Sequence, residues 1–215
     1  QKLGLNARTT SIFPNSGGLA LESLVPRTAL SKPRTQIAVK GYENKFGRAL
    51  LALAALEEVA PLIRQYEIVI FSCNRKTTAA ARKLAKRENL HITCFGKNQL
   101  THSEVLTIFR NSIFYLGLSR SDGISTSMLE AMSQGAIPLQ SGTACANEWI
   151  ENGKAGFILD LEKPDEIAHA IRITVQNDQF RNEAQLKNLE TIRRRYDTEV
   201  VAANCKELYR AALSG

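Results

Sequence analysis

The chain has 215 residues, enough for one well-filled domain and too few for two full α/β units of ordinary size. Its 44% hydrophobic and 23% charged content is that of a globular protein and excludes collagen-like and low-complexity classes. The excess of 28 basic over 21 acidic residues, with a pI near 9.4, suits an anionic ligand, an acidic lipid surface or nucleic acid, and does not choose among them.

No apolar run approaches the ~20 residues of a membrane span, and no signal-peptide pattern opens the chain, so the expectation is a protein neither inserted nor exported. Cys73, Cys94, Cys145 and Cys205 are too scattered for paired metal-ligand spacing and read as reduced thiols of a cytosolic protein. His91, His102 and His169 fall on different elements, without a Cys, Asp or Glu at metal spacing, and read as structural or surface residues.

Residues 1–35 lack a sustained period and are broken by Pro14, Gly17, Gly18, Pro26 and Pro33, which predicts a linker, with one domain over 36–215. From Gln36 onward strand and helix patterns alternate. Strands are predicted over 36–40, 67–73, 91–95, 112–118, 136–140 and 156–160. Helices are predicted over 47–65, 77–88, 103–110, 126–134 and 144–151. Such alternation implies a parallel sheet with helices on both faces and right-handed crossovers. After Asp160 the pattern is helical only, over 164–175, 178–195 and 198–213, a helical C-terminal extension. The basic run Arg193-Arg194-Arg195 on that extension reads first as a solvated face; contact with another part of a longer protein or with an anionic membrane is the weaker alternative.

The densest chemistry lies between Leu118 and Pro138. An apolar strand ends at Leu118, small polar residues follow, and Met128, Leu129, Ala131 and Met132 begin an amphipathic helix. Asp122 and Glu130 therefore bracket a helix N-terminus at the C-terminal edge of the sheet, where an open α/β fold has its ligand crevice and unpaired amides attract anions. Plainer readings exist for each residue. Asp122-Gly123 is an ordinary turn pair, Ser127 and Glu130 have capping-box spacing, and Ser125, Thr126 or Ser127 can serve only as N-cap.

Asp122-Gly-Ile-Ser-Thr-Ser-Met-Leu-Glu130, followed by Ala131-Met132 and Gly135-Ala136-Ile137-Pro138, resembles the acidic signature of family-4-type retaining glycosyltransferases of the GT-B fold. Here the first Glu of that signature is Asp, and the proline comes one residue late. Ile12-Phe13-Pro14-Asn15-Ser16-Gly17-Gly18 is similar to the segment leaving the N-terminal half of those enzymes. The resemblance spans roughly 12–173. It implies one half of a GT-B fold: a Rossmann-like parallel sheet that binds the sugar nucleotide, with the acceptor site on another half.

The resemblance also implies roles. Glu130 would accept the hydrogen bonds of the donor's ribose diol, and Asp122 would face the transferred sugar. Gly123, Ser125, Thr126 and Ser127 would lie along the diphosphate. The basic pair that neutralises the leaving group in the family is displaced here, Gly41-Tyr42 and Phe46 standing near the expected places. Lys40 at a strand end and Arg48 at a helix start are the nearest candidates, and either can instead be a solvated surface charge. Gly96 and Lys97 occupy the turn that reads the base edge. The loop Ser141–Glu148 replaces the family's paired glycines with Ala144 and Cys145, which makes it stiffer, and Glu148 is as readily a helix-start acid as a ligand.

No metal and no other cofactor is expected, the nucleoside-diphosphate sugar, such as a UDP-sugar, being the donor substrate. The expected activity is hexosyl transfer with retention in polysaccharide or glycoconjugate biosynthesis. The location would be cytoplasmic, peripheral membrane association being left open, and this fragment would be inactive without an acceptor domain. The acceptor is a sugar or lipid-linked hydroxyl, and no nucleic-acid partner is expected. Two rivals stay open at this level: a nucleotide-sugar epimerase of the same fold, and a non-enzymatic basic module that binds nucleic acid.

Overall fold

The computed structural model describes residues 17–20, 24–26, 30 and 32–213. Of the segment resembling an interdomain exit, residues 12–16 lie outside them. Six parallel strands run β1 Gln36–Lys40, β2 Glu67–Cys73, β3 His91–Gly96, β4 Ser112–Gly117, β5 Ile137–Ser141 and β6 Phe157–Leu159. The helices are α1 Ala49–Glu58, α2 Ala60–Ile63, α3 Arg75–Glu88, α4 His102–Asn111, α5 Thr126–Ser133, α6 Pro164–Gln176, α7 Asp178–Arg195 and α8 Thr198–Leu213. Strand order is β3-β2-β1-β4-β5-β6, with chain order reversing between β1 and β4. This is the doubly wound Rossmann-like order, whose crevice opens at that reversal.

The strands are short and buried on both faces because their side chains point alternately into two different layers. Ile37, Val39, Ile68, Ile70, Leu116, Ile137 and Leu139 join α1, α3 and α6 in an aliphatic layer. Ala38, Phe71, Tyr115, Phe109, Trp149 and Tyr196 join α4, α5 and the end of α7 in an aromatic one. Phe109 meets Phe71 and Tyr115 edge-on, each at 5.5 Å between ring centroids, an arrangement favoured by the ring quadrupoles.

Three local departures from the sequence expectation have physical causes. The helix expected over 47–65 is two helices, α1 ending at Glu58 and α2 starting at Ala60 with Pro61 in its first turn, because proline lacks the N–H a continuous helix needs. The helix expected over 144–151 is two 3₁₀ turns, Gly142–Ala144 and Ala146–Glu148, because Cys145 takes φ 49° between them and left-handed backbone cannot continue a helix. Arg193 and Arg194 are exposed, as expected of a solvated face, whereas Arg195 is half-buried, its guanidinium stacked 4.2 Å from the Trp149 ring and donating to the Glu148 carbonyl.

The described part of 1–35 is packed rather than free-running. Leu19 N–H donates to Tyr196 O at 2.8 Å and Thr198 N–H to Leu19 O at 3.1 Å, so the chain before β1 is stitched to the α7–α8 corner. Val25 is fully buried. The Arg34 guanidinium donates to the carbonyls of Phe109, Arg110, Ser112 and Gln134, and burial lowers its pKa to about 10. Gly135, at φ +80°, is needed beneath it, since a Cβ there would stand 2.5 Å from the Arg34 side chain. Among the described residues no helix is long and apolar enough to cross a membrane.

Candidate functional site

At the reversal point β1 ends on Lys40 and β4 gives way to Leu118. The loop after β1 folds back over this edge: Arg48 N–H donates to Leu118 O at 3.0 Å and Arg120 N–H to Phe46 O at 2.7 Å. Lys40 reaches across to the loop after β4, its Nζ 3.5 Å from Asp122 Oδ2 and 5.4 Å from the Tyr42 ring centroid. Burial opposes the ammonium, yet Tyr115, Asp122 and Tyr42 more than offset it and hold the Lys40 pKa above its usual value. Arg48 is not brought to this pair. Its guanidinium donates to the carbonyls of Asn44 and Gly47 at 2.9 and 2.7 Å and braces its own loop.

Helix α5 begins at the same edge with Ser125 as N-cap, 1% exposed and making no side-chain cap bond. Its first-turn amides, those of Thr126 and Ser127 included, thus lack the acceptor that an N-cap side chain normally supplies. Ser127 lies inside the helix, so it does not form a capping box with Glu130; the box is on α4, between Thr101 and Glu104. Gly123 is exposed, and a Cβ there would meet nothing within 4 Å.

Glu130, in the second turn of α5, directs its carboxylate toward α4, where His102 Nε2 stands 2.8 Å from Oε1. The Glu130 side chain is 13% exposed and that of His102 63%. Burial pushes the Glu130 carboxyl above its usual range, and His102 and Lys40 pull it only part of the way back. Gly96 ends β3 with its amide donated to Gln99 Oε1, and Lys97 is exposed in the following turn. No contact among the described residues joins Gly96 or Lys97 to the two acids.

Beneath the crevice lie poorly satisfied polar atoms. Tyr115 Oη, Ser125 Oγ and Gln140 Oε1 are buried without a well-formed hydrogen bond among the described residues, although Ser125 stands near enough to Tyr115 to draw its phenol down. Gly117 makes their approach possible, because a Cβ there would stand 2.4 Å from Tyr115 Oη and 2.5 Å from Gln140 Oε1. Burial drives the Tyr115 phenol up, while Lys40 draws it down. An unpaired buried polar atom costs about 1–3 kcal/mol, which evolution tolerates chiefly where function uses it. Motif reasoning did not bring Tyr115 and Gln140 to this edge, and it left His102 as a structural or surface residue, which its exposed ring is. A tyrosine and a glutamine in apolar strand runs, with a glycine inside β4, were the available signals.

The loop after β5 is tied to the same edge. Ser119 N–H donates to Ser141 Oγ at 3.0 Å, while Ser141 Oγ donates to Ser119 O at 2.9 Å. The Thr143 hydroxyl also donates to that carbonyl. A cavity of about 580 Å³ adjoins this loop, lined by Arg120, Thr143, Ile158, Asp160 and Glu162 among others. Glu148 is partly buried in its 3₁₀ turn.

Chemically, the edge gathers one cation, one uncapped helix N-terminus and two carboxylates, Lys40 lying close to both acids. It therefore suits a ligand with a dianionic middle and hydroxyl-rich ends.

Comparisons with known proteins bear on the fold and the family. No curated protein sequence matches the chain. Among solved structures, sucrose-phosphate synthase from Thermosynechococcus elongatus superposes with a TM-score of 0.73 at 16% identity, covering 92% of this chain and 51% of that one. HepE from Anabaena, in complex with UDP and glucose, gives a TM-score of 0.70 at 13% identity over 90% of this chain and 55% of its own. The C-terminal domain of LpcC, a glycosyl transferase group 1 family protein from Francisella tularensis, gives 0.69 at 14% identity over 84% of this chain and 99% of that domain. This chain thus spans about half the length of the first two relatives, and the likeness establishes the fold, one Rossmann-like half of the GT-B architecture. The model of the family described as glycosyl transferases group 1 matches residues 34–189, and the chain belongs to that family.

Proposed function

We propose that this chain is the donor-binding part of a retaining glycosyltransferase, which passes a sugar from a nucleoside diphosphate to an acceptor hydroxyl in polysaccharide or glycoconjugate assembly. The observation that carries the reading is the convergence of Lys40, Asp122, Glu130 and the uncapped start of α5 on the β1/β4 edge. The UDP held by HepE supplies the ligand class.

In this reading the ribose diol donates to Glu130. The diphosphate rests on the amides of Thr126 and Ser127, where the helix dipole adds roughly 0.3–1 kcal/mol and direct hydrogen bonds add more. Lys40 then turns from Asp122 to the phosphate oxygens, freeing Asp122 for the hydroxyls of the transferred sugar. Arg48 joins only if its guanidinium leaves the loop carbonyls that hold it. Gly96 and Lys97 meet the base only if Gln99 releases the Gly96 amide.

The bond from the anomeric carbon to the diphosphate oxygen breaks as the acceptor oxygen attacks the same face. The acceptor proton passes to the departing diphosphate. Stabilising that developing charge is the main catalytic contribution asked of this half, and it requires no protein nucleophile. The acceptor, a sugar or lipid-linked hydroxyl, is held by the length that the relatives have and this chain does not span.

The test is calorimetric titration with UDP, GDP and ADP. One should bind with micromolar or better affinity, and Glu130→Ala should weaken it by about 1–3 kcal/mol, as expected for losing charge-assisted hydrogen bonds. Unchanged affinity in that variant defeats the assignment. Product analysis with the matching sugar nucleotide separates transfer from epimerisation. Salt-sensitive oligonucleotide binding indifferent to Glu130→Ala would mark the basic-module alternative.

A further inference from the structure

Resting on the donor-binding reading, we propose that His102 is a positioning residue that makes the site selective for ribose, by fixing the orientation and charge of Glu130. His102 is the first residue of α4, and the Thr101–Glu104 capping box fixes its backbone there. From that start its Nε2 meets Oε1 of Glu130, on a different helix, at 2.8 Å. One carboxylate oxygen is thereby taken and its plane set. Oε2 is left as a free acceptor, and Oε1 keeps a second lone pair, which together match the two adjacent hydroxyls of a ribose.

The groups that face this carboxylate are His102 from α4, Lys40 from β1 and the Tyr115 hydroxyl from β4. Lys40 is already engaged with Asp122, so His102 is the direct donor that keeps Glu130 an acceptor despite its burial. A protonated Glu130 would offer one acceptor fewer and lose the match. The imidazole itself is mostly exposed although the carboxylate is not, so thermal melts are read beside the affinities to separate an effect on folding from one on binding.

The experiment uses the whole chain and two probes, a nucleoside diphosphate (the tightest of UDP, GDP and ADP) and its 2′,3′-dideoxy analogue. Affinities are measured for the unsubstituted protein, His102→Ala, His102→Gln and Glu130→Gln, with thermal melts to show that each is folded. His102→Ala should weaken the ribonucleotide about five- to tenfold, the net worth of one ordinary hydrogen bond, and leave the dideoxy analogue unchanged. His102→Gln, which restores a neutral donor, should recover most of the loss.

Equal losses for both probes would mean that His102 touches the base or phosphates and would overturn the proposal. So would an unchanged or tighter ribonucleotide affinity in His102→Ala, with Glu130→Gln still impaired; the donor-binding reading would then survive alone. If the protein binds no nucleoside diphosphate, or Glu130→Gln binds both probes normally, the donor-binding reading fails first and this inference with it.

Discussion

The two faces of the sheet are built to different standards. The face under α1, α3 and α6 is aliphatic, with Ile37, Leu56, Ile68 and Ile137 fully buried. The face under α4 and α5 is aromatic and leaves Tyr115 Oη, Ser125 Oγ, Gln140 Oε1 and Trp149 Nε1 buried without a well-formed hydrogen bond among the described residues. Three of those four atoms lie at or beneath the C-terminal edge where the charged groups converge. One layer is purely apolar packing; the other carries polar groups that a ligand or ordered water would satisfy better than their present neighbours do.

The largest expected effect would break this contrast from the aliphatic side. Leu56→Ala should cost about 2–5 kcal/mol of unfolding free energy in urea melts, with nucleotide affinity unchanged while the protein stays folded. A loss of affinity beyond the unfolded fraction would show that both faces support the site.

Glu130→Gln sharpens the other side and should stabilise the protein at neutral pH, by less than Leu56→Ala destabilises it, while weakening nucleotide binding. The sign follows from linkage. The folded-state pKa of Glu130 lies above its ordinary 4.5, so the folded protein holds the proton more tightly and this group's contribution to stability falls as pH rises through that raised pKa. The stability gap between the variant and the unsubstituted protein should close below pH 4.5 and open above it, as read by melting temperature across a pH series. A constant gap would assign the effect to something other than the carboxyl proton.

The smallest effect belongs to Tyr115→Phe, which deletes a buried hydroxyl without a well-formed hydrogen bond and should raise unfolding free energy in the ligand-free protein by less than the ~1–3 kcal/mol of a wholly unpaired group, because Ser125 lies close by. Destabilisation instead would reveal that the hydroxyl is satisfied in solution, and the asymmetry of the two faces would shrink accordingly.

Much of the fold was legible because two-sided burial writes strands as short apolar runs: β1 and β2 carry the expected bounds, and α7 and α8 do as well. Boundaries failed where one residue overrules periodicity, at Pro61 and at Cys145, whose left-handed backbone has no signature in a cysteine. The two acids were legible as a motif because they share one loop and helix. Their partners were not. Lys40 meets Asp122 and His102 meets Glu130 only through the sheet order and the packing of α4 on α5, which no local spacing encodes. Arg48 held the helix-start position expected of a phosphate cation, yet a flexible guanidinium beside open loop carbonyls folds onto them first.

The stitching of Leu19 to Tyr196 and Thr198 has a mechanical corollary. Force applied through the backbone ahead of β1 is delivered to the junction of α7 and α8 before it reaches any strand, and Gly18, whose Cβ would stand 2.7 Å from Tyr196 O, keeps that joint tight.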